Sequence, residues 1–186
     1  MGLLTFAINV TLDGCYDHRA AIPDDQLFRY WIRLMDDAGA MLWGRTVYEL
    51  MENYWPAMAR DPKAAPLDRE WARKLDAKDK FVLSRSRRDF SWSNTHHVKG
   101  ELAGAIKRLK KRTPRGLLLG SPNLAKDLHR LGLIDEYVLV VHPILAGRGP
   151  TLFVDWKASR LELAETKRFK SGVLALRYSG KRRTVI

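Results

Sequence analysis

The chain has 186 residues, of which 46% are hydrophobic and 29% are charged, and this balance excludes wholesale disorder as well as collagen-like and coiled-coil architectures. Its only cysteine, Cys15, excludes an internal disulfide, and one Cys with five scattered His provides no metal-ligand cluster. We therefore expect a reducing compartment and no metal site. The net charge of +12 suggests an anionic partner.

The surplus of positive charge lies entirely in the second half of the chain. Residues 1–93 carry 14 basic and 14 acidic side chains, whereas residues 94–186 carry 19 basic and 7 acidic ones. The basic residues are densest at Lys99–Arg115 and in a predicted basic tail at residues 179–186. Nucleic-acid binding is one interpretation, but no known nucleic-acid-binding motif accompanies the charge, so we do not favour it.

The N-terminal apolar run, Leu3 to Val10, is too short for a membrane span and has no basic region before it. This pattern is not that of a signal peptide. We expect a cytoplasmic protein.

Strand and helix patterns alternate through the first part of the chain. A buried strand ends at the turn signal Asp13-Gly14, and an amphipathic helix begins at Asp24-Asp25 and stops at Gly39. The other predicted elements are a strand Ala40–Trp43, a helix with Val47, Leu50 and Met51 on its inner face, a surface loop Tyr54–Ala65, a helix Pro66–Leu75 and a strand Lys80–Leu83.

The pattern changes after residue 136. Before residue 136, strands and helices still alternate. The predicted elements there are a weak strand His96–Val98, a basic helix Gly100–Lys111, a strand Leu117–Leu119, a tight turn Gly120–Asn123 and a helix Leu124–Leu131. After it come strands at Tyr137–His142, Leu161–Phe169 and Val173–Tyr178, the last two joined by a hairpin turn at Ser171-Gly172. We predict one α/β domain over residues 1–186, with a mostly parallel sheet, helices on both faces and antiparallel edge strands at the C-terminal end.

Three turns follow the predicted parallel strands and form the candidate ligand site, because open α/β sheets bind ligands beyond the carboxyl ends of their strands. Gly44 and Gly120 each precede a helix, whose free N–H groups and dipole attract phosphate. Arg45 adds a guanidinium, and Ser84-Arg85 offers the hydroxyl and cation that a phosphate monoester needs. The alternative for each turn is tight packing or a solvated loop. A P-loop and a G-x-G-x-x-G fingerprint are both absent.

Other residues could contribute chemistry at the same edge of the sheet. Asp13 could orient a ring or relay a proton, or it could simply form an Asp-Gly turn. Tyr48 and Trp55 are candidate substrate-stacking residues, although aromatic residues at helical spacing are usually core. His96 and His97 have no matched acid and nucleophile, so a hydrolase triad is not supported.

The chain resembles the dihydrofolate reductase-like fold and, within it, the reductase half of bacterial riboflavin-pathway deaminase-reductases and their small stand-alone relatives. The resemblance spans roughly residues 3 to 178 and rests on motifs in a fixed order. These are Thr11-Leu12-Asp13-Gly14, Trp43-Gly44-Arg45-Thr46-Val47-Tyr48-Glu49, Val82-Leu83-Ser84-Arg85, Gly120-Ser121 before a helix, Gly132 to Glu136, and His142 to Gly149.

This resemblance implies an NADPH-dependent reductase of a small heterocyclic, pyrimidine-like or pterin-like substrate. Its motifs would place Gly44, Arg45, Thr46 and Val47 on the pyrophosphate and adenosine side, and Leu83, Ser84 and Arg85 at the 2′-phosphate. Ala7 and Asp13 would border the nicotinamide and the substrate. The pyrophosphate would also be wrapped by the turn Gly120, Ser121, Pro122, Asn123 and Leu124. The family often forms homodimers through the sheet edge and its late strands.

The chain departs from the family pattern at two of the cofactor turns. Thr46 and Val47 are exchanged relative to the usual Gly-Arg-x-Thr, and Ser121 replaces a common second glycine. The first helix carries no acid in its middle, which disfavours folate reduction. These departures leave open an alternative function on the same fold, a nucleotide-binding or interaction module without catalysis.

Overall fold

The fold is built on one eight-stranded sheet flanked by helices. The computed structural model describes residues 1–180, so the predicted tail lies outside the described residues except for its first two positions. The strands are β1 Leu4–Thr11, β2 Ala40–Gly44, β3 Lys80–Leu83, β4 Thr95–Val98, β5 Leu117–Leu119, β6 Glu136–His142, β7 Glu162–Arg168 and β8 Leu174–Ser179. The α-helices are α1 Asp25–Asp37, α2 Arg45–Glu52, α3 Trp55–Arg60, α4 Pro66–Ala77, α5 Leu102–Arg112 and α6 Pro122–Arg130.

The strand order is β4-β3-β2-β5-β1-β6-β8-β7. Every pair from β4 to β6 is parallel, and β8 is antiparallel to both β6 and β7. The ends of β2, β3 and β4 are in register, since Gly44 pairs with Leu83 and Leu83 pairs with Val98. The turns that follow these strands therefore emerge side by side.

Two apolar cores lie on opposite faces of the sheet because strand side chains alternate between the faces. On one face, Ala7 of β1 packs in a cluster with residues of α1, α2 and α4. On the other face, Leu4 and Phe6 pack in a second cluster with residues of α5 and α6. These layers confirm the predicted fold class, a three-layer α/β fold with a mostly parallel sheet.

The hairpin predicted at Ser171-Gly172 is present between β7 and β8. Gly172 has a φ of 85°, a left-handed conformation that favours glycine, and its N–H donates to the carbonyl of Phe169. β7 forms the edge of the sheet and its side chains are mostly exposed. Homodimerisation through this edge remains a prediction.

The predicted loop over Tyr54–Ala65 is wrong in its first half, which is helix α3. Pro56 lies in the first turn of that helix, where the missing N–H has no helical partner to lose. The predicted inner face of α2 is also wrong at Leu50, which is 51% exposed, because the fully buried Tyr48 faces the core instead. Helix α6 begins at Pro122, so Pro122 and Asn123 belong to its first turn and not to a separate turn.

The outer face of α5 is less uniformly basic than the sequence suggests. Lys110 is buried, and its Nζ lies 2.5 Å from the Asp135 carboxylate. Within residues 1–180, no helix is both long enough and apolar enough to cross a membrane.

Candidate functional site

The central feature of the site is a notch over the carboxyl end of the short strand β5. β5 ends at Leu119, which pairs with Phe6 of β1 and Leu42 of β2. Both neighbouring strands continue beyond it, β1 to Thr11 and β2 to Gly44. Residues Ala7 to Thr11 therefore pair only with β6 within the described chain. We call this gap, bordered by Ala7–Thr11, Trp43-Gly44 and Gly120-Ser121, the notch.

Two helices begin at the notch, and their first turns are linked to each other. The Gly44 N–H donates to Ser121 Oγ at 2.9 Å. Gly44 is the N-cap of α2 and Ser121 is the N-cap of α6, yet neither helix has a side-chain cap. The Ser121 hydroxyl is used between the helices and leaves the first N–H groups of α6 available. The arrangement brings two electropositive helix N-termini to one place.

The predicted pyrophosphate residues are distributed over these two helix ends. Arg45 and Thr46 are exposed in the first turn of α2, and Val47 is partly buried behind them. Among residues 1–180, the Arg45 side chain makes a single long ionic contact, 3.9 Å between its charged atom and that of Glu49. A Cβ placed on Gly44 would lie 4.0 Å from Leu124 Cβ, which shows how closely the two turns approach. The sequence thus correctly predicts that these two turns meet.

The third predicted turn borders a cavity of about 360 Å³ at the ends of β3 and β4. The polar residues that line it are Ser84, Arg85, Arg88, His97 and Lys99. Within the described chain, none of the lining residues carries a carboxylate. Three cationic side chains around one open cavity favour an anion there, and guanidinium groups are well suited to phosphate. Leu83 lies directly before this cavity, at the end of β3.

The Arg87 side chain makes contacts that differ from those of its neighbours Arg85 and Arg88. Its Nη1 lies 2.8 Å from Glu52 Oε2, and its guanidinium lies over the ring of Tyr48 at 5.0 Å from the centroid. Its backbone N–H donates to Ser84 Oγ at 2.8 Å, which fixes the turn. Arg87 therefore shapes the cavity but does not line it.

The carboxylate of Asp13 holds a loop. It accepts hydrogen bonds from the Thr11 hydroxyl, from the Gly147 N–H at 2.7 Å and from the Ala146 N–H at 3.1 Å. The Thr11 hydroxyl, followed by these two N–H groups, lowers the pKa of Asp13 to about 2. The proton-relay role considered for Asp13 is therefore not supported, and the alternative, a structural turn, fits its contacts.

Of the two candidate stacking residues, Tyr48 is part of the core and Trp55 is partly buried against it. Tyr48 is fully buried, and its hydroxyl donates to Glu52 Oε1 at 2.7 Å. Trp55 packs in an aromatic cluster, with its ring centroid 6.0 Å from Trp71 and 6.4 Å from Phe28. The assignment of Tyr48 to the substrate is wrong because the residue is inaccessible, and Trp55 is not the free loop residue that was expected.

The sequence interpretation missed His97 and Lys99 in the cavity. His97 Nε2 donates to the Ser84 carbonyl at 3.0 Å, so Nδ1 carries no proton when the ring is neutral. That Nδ1 is buried and has no hydrogen-bond partner among residues 1–180. Lys99 directly follows β4, so the rule used for the other three turns applies to it as well.

Comparison with known proteins identifies the family of this chain. The model of the RibD C-terminal domain family matches residues 3–175. The protein YyaP of Bacillus subtilis (strain 168), which is uncharacterised, is 28% identical over 177 residues, 91% of this chain and 90% of its own.

Solved structures share the fold at low identity. A protein of Shewanella sp. PV-4 named for riboflavin biosynthesis superposes with a TM-score of 0.75 at 20% identity, covering 97% of this chain and 99% of its own. A pyrimidine reductase-like protein of Corynebacterium diphtheriae gives a TM-score of 0.67 at 16% identity, covering 96% and 91%. These neighbours share the fold over almost the whole of this chain. The chain belongs to the RibD C-terminal domain family.

Proposed function

We propose that this protein is an NADPH-dependent reductase that delivers a hydride to a small heterocyclic substrate of the pyrimidine or pterin type. The observation that carries the proposal is the hydrogen bond between Gly44 and Ser121, which joins two uncapped helix N-termini at the notch. Two helix ends aimed at one point suit a ligand with two linked phosphates.

The pyrophosphate would be held by backbone groups. Pro122 has no N–H, so α6 would contribute the amides of Asn123 and Leu124, and α2 would contribute those of its first turn. Arg45 is exposed beside them and would add a charge-assisted hydrogen bond.

The cationic cavity would distinguish NADPH from NADH. A 2′-phosphate monoester carries close to two negative charges, and the lining supplies Arg85, Arg88 and Lys99 without a competing carboxylate. Ser84 Oγ already accepts a hydrogen bond from the Arg87 N–H, and its own hydroxyl hydrogen remains able to donate.

The nicotinamide would occupy the notch beside Ala7. The Ala7 side chain is 5% exposed and packs into the core, so it is the backbone of β1, unpaired on the β5 side, that would meet the ring. The bound cofactor supplies the hydride, while the chain positions it against the substrate and excludes water.

A second candidate, a nucleotide-binding module without catalysis, is favoured by one observation. Asp13, the acidic residue expected beside the substrate, already accepts three hydrogen bonds and holds the loop at Ala146 and Gly147. Such a module would bind NADPH through the same contacts and would not turn it over.

The test is a fluorescence titration with NADPH followed by turnover assays with oxidised pyrimidines, pterins and carbonyl compounds. The reductase proposal predicts NADPH binding and oxidation of bound NADPH by at least one of these classes. Binding without turnover across the panel would favour the module, and absence of NADPH binding at millimolar concentration would contradict both.

A further inference from the structure

A buried histidine on β6 is hydrogen-bonded to an asparagine of β1 at the edge of the notch. His142 is 1% exposed and lies at the end of β6. Its Nε2 lies 3.1 Å from Asn9 Oδ1, and its Nδ1 lies 3.1 Å from the backbone nitrogen of Ile22. Neither residue has a role in the cofactor contacts described above.

The hydrogen bond from Ile22 determines the orientation of the whole pair. A backbone N–H can only donate, so His142 Nδ1 must accept and carries no proton. The neutral ring therefore holds its hydrogen on Nε2, and the partner on Asn9 must be the carbonyl oxygen Oδ1. Burial lowers the pKa of His142, which favours this neutral form. Asn9 Nδ2 is left with two hydrogens and no hydrogen-bond partner within residues 1–180.

The position of Asn9 makes these hydrogens significant. Asn9 is two residues beyond Ala7 and so lies on the same face of β1, the face covered by α1. It is partly exposed, in the section of β1 that has no strand partner on the β5 side. An amide donor is thus presented beside the place proposed for the nicotinamide.

The helix layer on this face contains a buried donor without a partner in the described chain, and its acidic residues lie at the ends of α1. Trp31 of α1 packs against the same core cluster as Ala7, and its Nε1 is buried without a hydrogen-bond partner in the described chain. Two acidic residues of this helix region have partners: Asp24 caps the helix through the N–H groups of Gln26 and Leu27, and Asp36 binds Lys74 Nζ. The other two, Asp25 and Asp37, lie at the helix ends with exposed side chains. Unsatisfied buried donors are rare in folded proteins and need a ligand or water as partner.

We propose that Asn9 contacts the substrate and orients it by donating from Nδ2, and that His142 is a positioning residue that holds the Asn9 amide in this orientation. The inference rests on the proposed reductase function. It specifies the substrate class as an uncharged heterocycle with a carbonyl oxygen or an unprotonated ring nitrogen next to the reacting bond. A cationic group of a substrate could not bind Asn9 Nδ2, because an amide NH2 group only donates.

The test uses lumazine, a neutral fluorescent heterocyclic dione, as the probe with protein saturated by NADP⁺. Asn9→Asp keeps the oxygen that accepts from His142 but removes both donors, so lumazine affinity should fall about tenfold or more, the loss of one well-made hydrogen bond. Affinity for NADPH, measured separately, should change less than about threefold. Asn53→Asp, an exposed asparagine at the far end of α2, is the matched control and should leave both affinities unchanged.

The role of His142 is tested with two variants and a spectrum. His142→Gln keeps a donor for Asn9 and should retain lumazine affinity within about threefold, whereas His142→Leu should lose as much as Asn9→Asp. In the wild-type protein, nitrogen-15 NMR of the imidazole should show the hydrogen on Nε2. A wild-type protein that binds NADPH but not lumazine, an Asn9→Asp variant with unchanged lumazine affinity, or a His142 ring with its hydrogen on Nδ1 would overturn the inference. Each of these results would leave NADPH binding, and with it the proposed function, standing.

Discussion

The Gly44 N–H donates to the Ser121 hydroxyl across the carboxyl ends of two adjacent strands, at 2.9 Å. The two residues are 77 positions apart, and each is the N-cap of a helix that has no side-chain cap within residues 1–180. Because the serine side chain serves the neighbouring turn, the first amides of both helices stay available for an anion.

Ser121→Ala should weaken NADPH binding about threefold to tenfold, because a hydrogen bond of this kind contributes about 1 kcal/mol and its loss frees the two turns relative to each other. The measurement is a fluorescence titration with NADPH. Ser93→Ala removes an exposed hydroxyl before β4, at the opposite end of the sheet, and serves as the control. Equal affinities for the two variants would show that the bond does not organise the site.

Arg87→Ala should destabilise the protein more than Arg85→Ala. The Arg87 side chain is 27% exposed, and its ion pair with Glu52 at 2.8 Å and its contact with the Tyr48 ring are both lost in the variant. We expect a decrease of about 2 kcal/mol in the free energy of unfolding for Arg87→Ala, and less than about 0.5 kcal/mol for Arg85→Ala. Urea denaturation measures both values. A larger loss for Arg85→Ala would contradict the separation of these two arginines.

Asp13 should titrate near pH 2 and should control the loop at Ala146 and Gly147. Its pKa is lowered to about 2 by the Thr11 hydroxyl and by the two loop N–H groups. Since the folded pKa lies below the ordinary value, the stabilisation is present at neutral pH and is lost as the pH falls from about 4 towards 2. The amide NMR signals of Ala146 and Gly147 should follow this titration. In Asp13→Asn these two amides should exchange with deuterium faster at neutral pH, whereas exchange unchanged from the wild type would mean that the carboxylate does not hold the loop.

Lys80 should make the stability of the protein increase at alkaline pH. The side chain is fully buried, its Nζ donates to the carbonyls of Leu75 and Lys78 at 2.6 and 2.7 Å, and burial lowers its pKa to about 8. Between about pH 8 and the unfolded pKa of 10.5, the unfolded chain binds the additional proton, so folding becomes more favourable as the pH rises.

The Lys80→Met variant isolates this effect. The difference in unfolding free energy between wild type and variant should shift in favour of the wild type by about 2–3 kcal/mol between pH 7.5 and pH 10.5. Urea denaturation across this range measures the difference. A difference that does not change with pH would mean that Lys80 titrates normally in the folded protein.

Local patterns were sufficient to predict that the candidate turns lie at one edge of the sheet. Apolar runs ending at Gly44, Ser84 and Gly120 indicate where parallel strands stop, and strands of one parallel sheet must end on the same side. The structure brings the Gly44 and Gly120 turns together and opens a cationic cavity at Ser84.

Local patterns do not predict the role of each side chain at this edge. Contacts between residues that are distant in sequence determine it. Arg85 and Arg87 are equivalent by sequence, and the contacts of Arg87 with Glu52, 35 residues before it, and with the Tyr48 ring separate their roles. The pairing of Asn9 with His142 spans 133 residues and follows from the parallel register of β1 and β6. Tyr48 has the position of a ligand-stacking residue, but Trp92 and Phe90 enclose its ring.

The central claim is that the cavity at Ser84 and Arg85 holds the 2′-phosphate of NADPH. Parallel titrations with NADPH and NADH, on the wild type and on Arg85→Ala, test it most directly. We expect the wild type to bind NADPH at least tenfold more tightly than NADH, since a charge-assisted contact contributes about 1.5–3 kcal/mol. Arg85→Ala should lose most of this preference, while its affinity for NADH should be unchanged. Equal affinity of the wild type for both cofactors, or an equal loss for both in Arg85→Ala, would contradict it.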